Sequence, residues 1–159
     1  MAEDAVTIET TPPTPTAVVR ETTTWEAFPD RWRALLDEVW AFVRATGVKA
    51  GRNVMVYADD VPNVDVEVGV EVDAAFAPAG RVVASSLPAG RAARTVLRGP
   101  PSPEGIGAAH GAVQRWCEAR GENPTGVRWE VYGHWRDEDP DAFATEIYWL
   151  LSERRSSAS

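Results

Sequence analysis

The strongest constraint on this chain is that its punctuation occurs twice. Pro29 lies eighteen residues before Gly47, and Pro103 lies eighteen residues before Gly121. Proline suits the first position of a helix and glycine the residue just past its end, so each pair brackets one helix. Aligned on those glycines, Trp32 matches Ile106, Leu35 matches Ala109, Val39 matches Val113, Phe42 matches Trp116 and Val43 matches Cys117. These positions follow helical spacing and give each helix one apolar stripe. A Val-Tyr pair follows each helix, Val56-Tyr57 and Val131-Tyr132. A polar turn comes next, and then Glu67-Val68 or Glu146-Ile147. A period of roughly 75 residues is too long for a solenoid unit, so the repeat reads as a duplication inside one domain.

The segments around the helices read as strands. Val64, Val66, Val68, Val70 and Val72 alternate with Asp65, Glu67, Gly69 and Glu71, which predicts a strand with one buried face. Thr16 to Glu21, Asn53 to Tyr57, Arg81 to Ser85, Arg91 to Arg98, Arg128 to Trp135 and Ala144 to Leu151 are further strands. Ala5 to Glu9 alternates weakly and suits an edge, while the prolines of Thr10 to Pro15 exclude a central strand there. The expected fold is therefore α+β: tandem strand-helix-strand-strand modules, about 16–72 and 91–151, within one domain over 5–151. Side by side they make a mostly antiparallel sheet with two helices on one side and a ligand cleft at the pseudo-dyad. The alignment sets Gly69 against Tyr148, which is expected to leave room on one side of that dyad. Residues 1–4 and 152–159 read as disordered tails.

Composition narrows the partners. A net charge of −8 lacks the basic stripe of a nucleic-acid surface. No apolar run is long enough to span a membrane, and no signal peptide is recognisable. Cys117 is the single cysteine, which fits a reducing cytoplasm and excludes an internal disulfide. With two histidines and one cysteine no zinc set can be assembled, and neither a triad nor a phosphate-cradling loop is present. No metal or cofactor is expected. His110 and Cys117, on the stripe of the second helix, read as structural.

The residues that point to chemistry are carboxylates beside tyrosines. Period 2 places Glu130 and Tyr132 on one face of their strand, and Glu146 and Tyr148 on one face of theirs. A carboxylate among rings in mid-strand stands in water, binds something or has a perturbed pKa. Tyr57, in the first copy, is a further stacking candidate. Trp40 lies at the margin of its helical stripe, and Trp116 falls on the second.

With these motifs in order, the chain resembles the GyrI-like small-molecule-binding family, whose fold serves as the effector-binding domain of AraC-type and MerR-type regulators. The resemblance rests on Ala17-Val18-Val19-Arg20 and the Glu-Val-Gly-Val of the Asp65 to Val72 strand. It rests also on Leu87-Pro88-Ala89-Gly90, Arg98-Gly99, Trp129-Glu130-Val131-Tyr132 and Thr145-Glu146-Ile147. It implies one acidic residue deep among aromatics that selects bulky, aromatic, often cationic ligands. That residue falls on Glu130, with Tyr132, Glu146, Tyr148 and Tyr57 as neighbours and Trp40 and Trp116 as added stacking surface. Without a helix-turn-helix segment, no direct contact with nucleic acid is expected, and the protein reads as a monomer or weak dimer. Some stand-alone members are hydrolases that open strained cyclopropanes of alkylating natural products. In that alternative Glu130 and Tyr132 would be catalytic. A protein-interaction module is the remaining reading.

Overall fold

The computed structural model describes residues 5–153. The expected tails at 1–4 and 154–159 lie outside them, whereas Ser152 is tied down by its N–H donating to the Asn123 carbonyl at 2.8 Å. Among the described residues eight strands form one antiparallel sheet, with two α-helices. In chain order these are β1 (Thr7–Thr11), β2 (Thr14–Thr23), α1 (Trp32–Thr46), β3 (Ala50–Asp60), β4 (Asn63–Val72), β5 (Val82–Leu87), β6 (Gly90–Arg98), α2 (Pro103–Arg120), β7 (Pro124–Tyr132) and β8 (Ala144–Leu151). The α+β class and the duplicated plan are as the sequence predicts.

The helix boundaries follow local chemistry. Ser102 Oγ accepts from the Gly105 N–H at 3.0 Å, and Pro103 opens α2. Gly47 and Gly121 end their helices in the left-handed region, at φ 73° and 69°, where glycine carries no Cβ penalty. Pro29 does not open α1. It sits in a 3₁₀ turn, Phe28–Asp30, and α1 begins at Trp32 with no side-chain cap.

The strand order is β1-β6-β8-β7-β3-β4-β2-β5. The first copy supplies β3-β4-β2 and the second β6-β8-β7, and they join at β3·β7. Pairing there sets Asn53 against Tyr132, Met55 against Glu130 and Tyr57 against Arg128. Met55 and Glu130 are equivalent positions of the two copies, so the pseudo-dyad passes between them. The outer strands are exchanged: β1, which precedes the first copy, pairs with β6 of the second, and β5, which precedes the second, pairs with β2 of the first. Each exchange is made by a two-residue link, Pro12-Pro13 or Pro88-Ala89. Such a link reaches about 10 Å at most, yet it joins strands from opposite ends of the strand order. The sheet therefore curls until its ends meet, and Thr11 Oγ1 donates to the Pro88 carbonyl at 2.9 Å across that corner.

Gly69 permits a close approach of β2 to β4. A Cβ there would lie 1.9 Å from the Ala17 carbonyl oxygen and 2.8 Å from Val18 Cα. The expectation that Gly69 leaves room beside the dyad is overturned, because β2 backbone fills that space. The helices cover one face. Leu35, Val39, Phe42 and Val43 of α1 pack on the five valines of β4, each at most 5% exposed. Burial of each valine contributes about 1.5–3 kcal/mol. Ala109, Val113 and Cys117 of α2 pack on Ala93, Ile147 and Leu151. A separate cluster of Val54, Val56, Leu87, Ala92, Trp129 and Val131 lies on the face turned from the helices.

Candidate functional site

A cleft of about 960 Å³ opens between the helices over β3 and β7. Each helix buries one stripe and turns a second toward it. On α1 the second stripe is Trp32, Leu36 and Trp40; on α2 the matching positions carry Ile106, His110 and Gln114. The spacing i, i+4, i+8 keeps each set on one face. Trp25 and Phe28, with ring centroids 6.3 Å apart, also line the cleft, as do Trp135 and Phe143 at 5.6 Å. Gly107 and Gly111 of α2 also line the cavity, and a Cβ at Gly107 would meet nothing within 4 Å.

The floor is chemically unequal about the dyad. β3 contributes Asn53, Met55 and Tyr57, and β7 contributes Arg128, Glu130 and Tyr132. Among the described residues of the lining, Glu130 is the one carboxylate, only 2% exposed. Its Oε1 accepts from the Tyr57 hydroxyl at 2.8 Å and from the Tyr132 hydroxyl. Its Oε2 lies 2.7 Å from His110 Nε2. His110 Nδ1 in turn accepts from the Trp149 indole N–H at 2.8 Å. An indole nitrogen can only donate, so the ring carries its proton on Nε2 and donates it to Glu130. An imidazolium in this position would set two N–H groups against each other.

Glu130 thus accepts three hydrogen bonds and faces no cationic partner among them. Removing a carboxylate from water costs several kcal/mol. Hydrogen bonds to a charged acceptor contribute about 1.5–3 kcal/mol each, so three of them offset that cost. Burial, then the charge of Glu130, pushes the ionisation of the Tyr57 and Tyr132 hydroxyls well above the usual tyrosine range. Both therefore remain donors. Trp40 is held against the floor by its indole N–H, which donates to Asn53 Oδ1 at 2.9 Å.

The structure brings Glu130, Tyr132, Tyr57 and Trp40 together in the cleft and separates the other expected site residues from them. Glu146 and Tyr148 lie on the opposite face of the sheet. In the β7·β8 register Glu130 sits across from Ile147, so the next residue either way points to the other side. There the Tyr148 hydroxyl donates to Glu146 Oε1 at 2.5 Å, Arg52 binds Glu146 at 2.7 Å, and Trp129 stacks on Tyr148 at 5.0 Å and 7°. Burial alone would raise the Glu146 pKa, but the Tyr148 hydroxyl and the Arg52 guanidinium hold it below the carboxylate range. Trp116 is packed with the α2 core under Arg120 and does not line the cleft. Among the cleft residues that the sequence does not mark as functional are His110 and Arg128. His110 reads as structural because it falls on the apolar stripe, as its repeat mate Leu36 does. Arg128 carried no signal beyond sharing the face of Glu130. Among the described residues no group of side chains is arranged to hold a metal.

The chain belongs to the GyrI-like small molecule binding domain family, which it matches over residues 4–152. Its fold is similar to that of the EcmrR C-terminal domain, with TM-score 0.74, 20% identity, and coverage of 95% of this chain and 99% of that one. It is similar also to SAV2435 bound to tetraphenylphosphonium, with TM-score 0.61, 10% identity and coverage of 93% and 94%. A hydrolase from Listeria innocua gives TM-score 0.57 at 10% identity, with coverage of 96% and 94%. At these identities the likeness is one of fold. No curated protein matches the sequence.

Proposed function

We propose that the protein binds bulky, apolar, aromatic and often cationic small molecules, and acts by sequestering or sensing them. The observation that carries this reading is Glu130: a carboxylate buried in an aromatic cleft, bonded by three neutral donors. Its negative charge is available to a ligand cation without any of those bonds breaking. Indole and phenol faces around it attract the same cation through their quadrupoles, by about 0.5–2 kcal/mol each. That a structure of the same fold holds tetraphenylphosphonium is consistent with this class. Titration with tetraphenylphosphonium, followed by tryptophan fluorescence, tests it. Glu130→Gln is expected to weaken binding by about tenfold or more, since a buried charge–cation contact contributes well over 1.4 kcal/mol. Unchanged binding by that variant would remove Glu130 from the site.

The pairing of Glu130 with His110 and two phenols supports a second reading, hydrolysis of a strained cyclopropane. Glu130 would accept a proton from water as its oxygen bonds to a ring carbon, while the strained C–C bond breaks. A tyrosine hydroxyl would hydrogen-bond the charge developing on the departing carbon framework, which then takes the proton. Incubation with a cyclopropane-bearing alkylator and mass spectrometry separates the readings: a hydrolase yields the water adduct, a binder returns the ligand intact.

A further inference from the structure

Glu130 has a counterpart of opposite sign in the cleft. Arg128 stands two residues before it on the same face of β7 and also lines the cavity. Their Cα atoms are about 7 Å apart along the strand, so a cation and an anion rise from neighbouring positions of one face. The first copy offers neither, for Asn53 and Met55 fill the matching positions. Arg128 is firmly placed. Its guanidinium carbon lies 5.2 Å from the ring centroid of Trp25 and 5.2 Å from that of Trp149. Its Nη2 is 3.2 Å from Asp59 Oδ1, and its Nη1 donates to Asp59 Oδ2 at 3.3 Å. Asp59 does not line the cavity. A guanidinium has five N–H donors, and Asp59 engages two of its nitrogens, which leaves donors for another acceptor. The two indole faces are already occupied by the protein's own cation, and like charge repels a second one there.

We propose that the cleft selects aromatic ligands that carry an acidic group as well as a cationic centre, and that Arg128 is the residue that sets this preference. The cationic centre lies against Glu130, and the carboxylate or sulfonate lies against Arg128. The proposal rests on the small-molecule-binding reading above and names the ligand class for the same site.

Rhodamine B and its ethyl ester make the comparison. They share one bulky aromatic cation and differ by one carboxylate. The protein's net charge of −8 and Glu130 both favour the ester, so tighter binding of the acid requires a local group that engages its carboxylate. Calorimetric titration of the wild-type chain at neutral pH is expected to give about tenfold tighter binding of rhodamine B. Arg128→Gln is expected to abolish that preference by weakening the acid relative to the ester. Asp59→Asn, which relieves the guanidinium of its carboxylate partner, is expected to widen it. Equal affinities in the wild-type chain, or tighter binding of the ester, would overturn the role of Arg128 and leave the binding reading standing. Binding of neither dye overturns both. The wild-type comparison requires no variant, so the outcome does not depend on how Arg128→Gln folds.

Discussion

Gly69 shows what one missing side chain permits. The β2 backbone approaches so closely that a methyl group would overlap the Ala17 carbonyl oxygen, and backbone cannot yield as a side-chain tip can. Gly69→Ala is therefore expected to destabilise the fold by more than about 3 kcal/mol, at or beyond the upper end for overpacked cores. A denaturation midpoint near that of the wild type would refute the close approach. Glu130 and its face were legible in the sequence, since a carboxylate two residues from a tyrosine in a strand is a period-2 observation. The bonds that fix it were not. His110 is twenty residues away in sequence and Tyr57 seventy-three, and nothing local announces either contact.

At the level of elements, α2 is weak by composition. Gly105, Gly107 and Gly111 lie in it, and each costs a helix about 1 kcal/mol relative to alanine. At Gly107 the space is open, so Gly107→Ala is expected to raise stability by about 0.5–1 kcal/mol. Gly107→Trp should leave the fold intact and block tetraphenylphosphonium, because the side chain would enter the cleft. Melting curves and the fluorescence titration, run on both variants, check the pair of outcomes. The N-cap is an ordinary one: Ser102→Ala is expected to cost about 1 kcal/mol in thermal or chemical denaturation. Helix ends were readable because proline, serine and glycine act locally. The placement of Glu146 and Tyr148 was not. Alternation assigns faces within a strand, but which residue of β8 meets Glu130 is decided by a register that spans the β7–β8 connection. A shift of one residue would have turned both of them to the face that carries the helices.

Across the whole molecule, the chain has only three tyrosines, and all of them hold their protons more tightly than usual. Tyr57 and Tyr132 are raised by burial and by Glu130; Tyr148 is raised by burial and by its bond to Glu146, to about 12. An unfolded tyrosine ionises near about pH 10. The folded state therefore binds more protons above that pH, and this share of stability is complete below about pH 10 and lost as pH rises toward 12. Phenolate absorbance should stay absent at about pH 10 and appear together with loss of circular dichroism. Phenolate growing in an intact fold at that pH would contradict the raised ionisation of these three hydroxyls. The duplication, the class and the two helices were all visible in the sequence because the repeat carries its own punctuation. The exchange of β1 and β5 was hidden, since a two-residue proline link reads equally well as a hairpin turn.

Met55 and Glu130, facing each other across the pseudo-dyad, bear on how such a protein could arise. Two identical subunits related by a true two-fold axis must place the same residue on both sides of it. Such an assembly has two carboxylates opposed at close range, which repel, or two methionines and no charge at all. A single negative charge at the axis is open only to halves free to mutate separately. Duplication within one chain meets that condition: it converts a symmetric surface, where charges come in pairs, into one where a lone anion can sit at the centre.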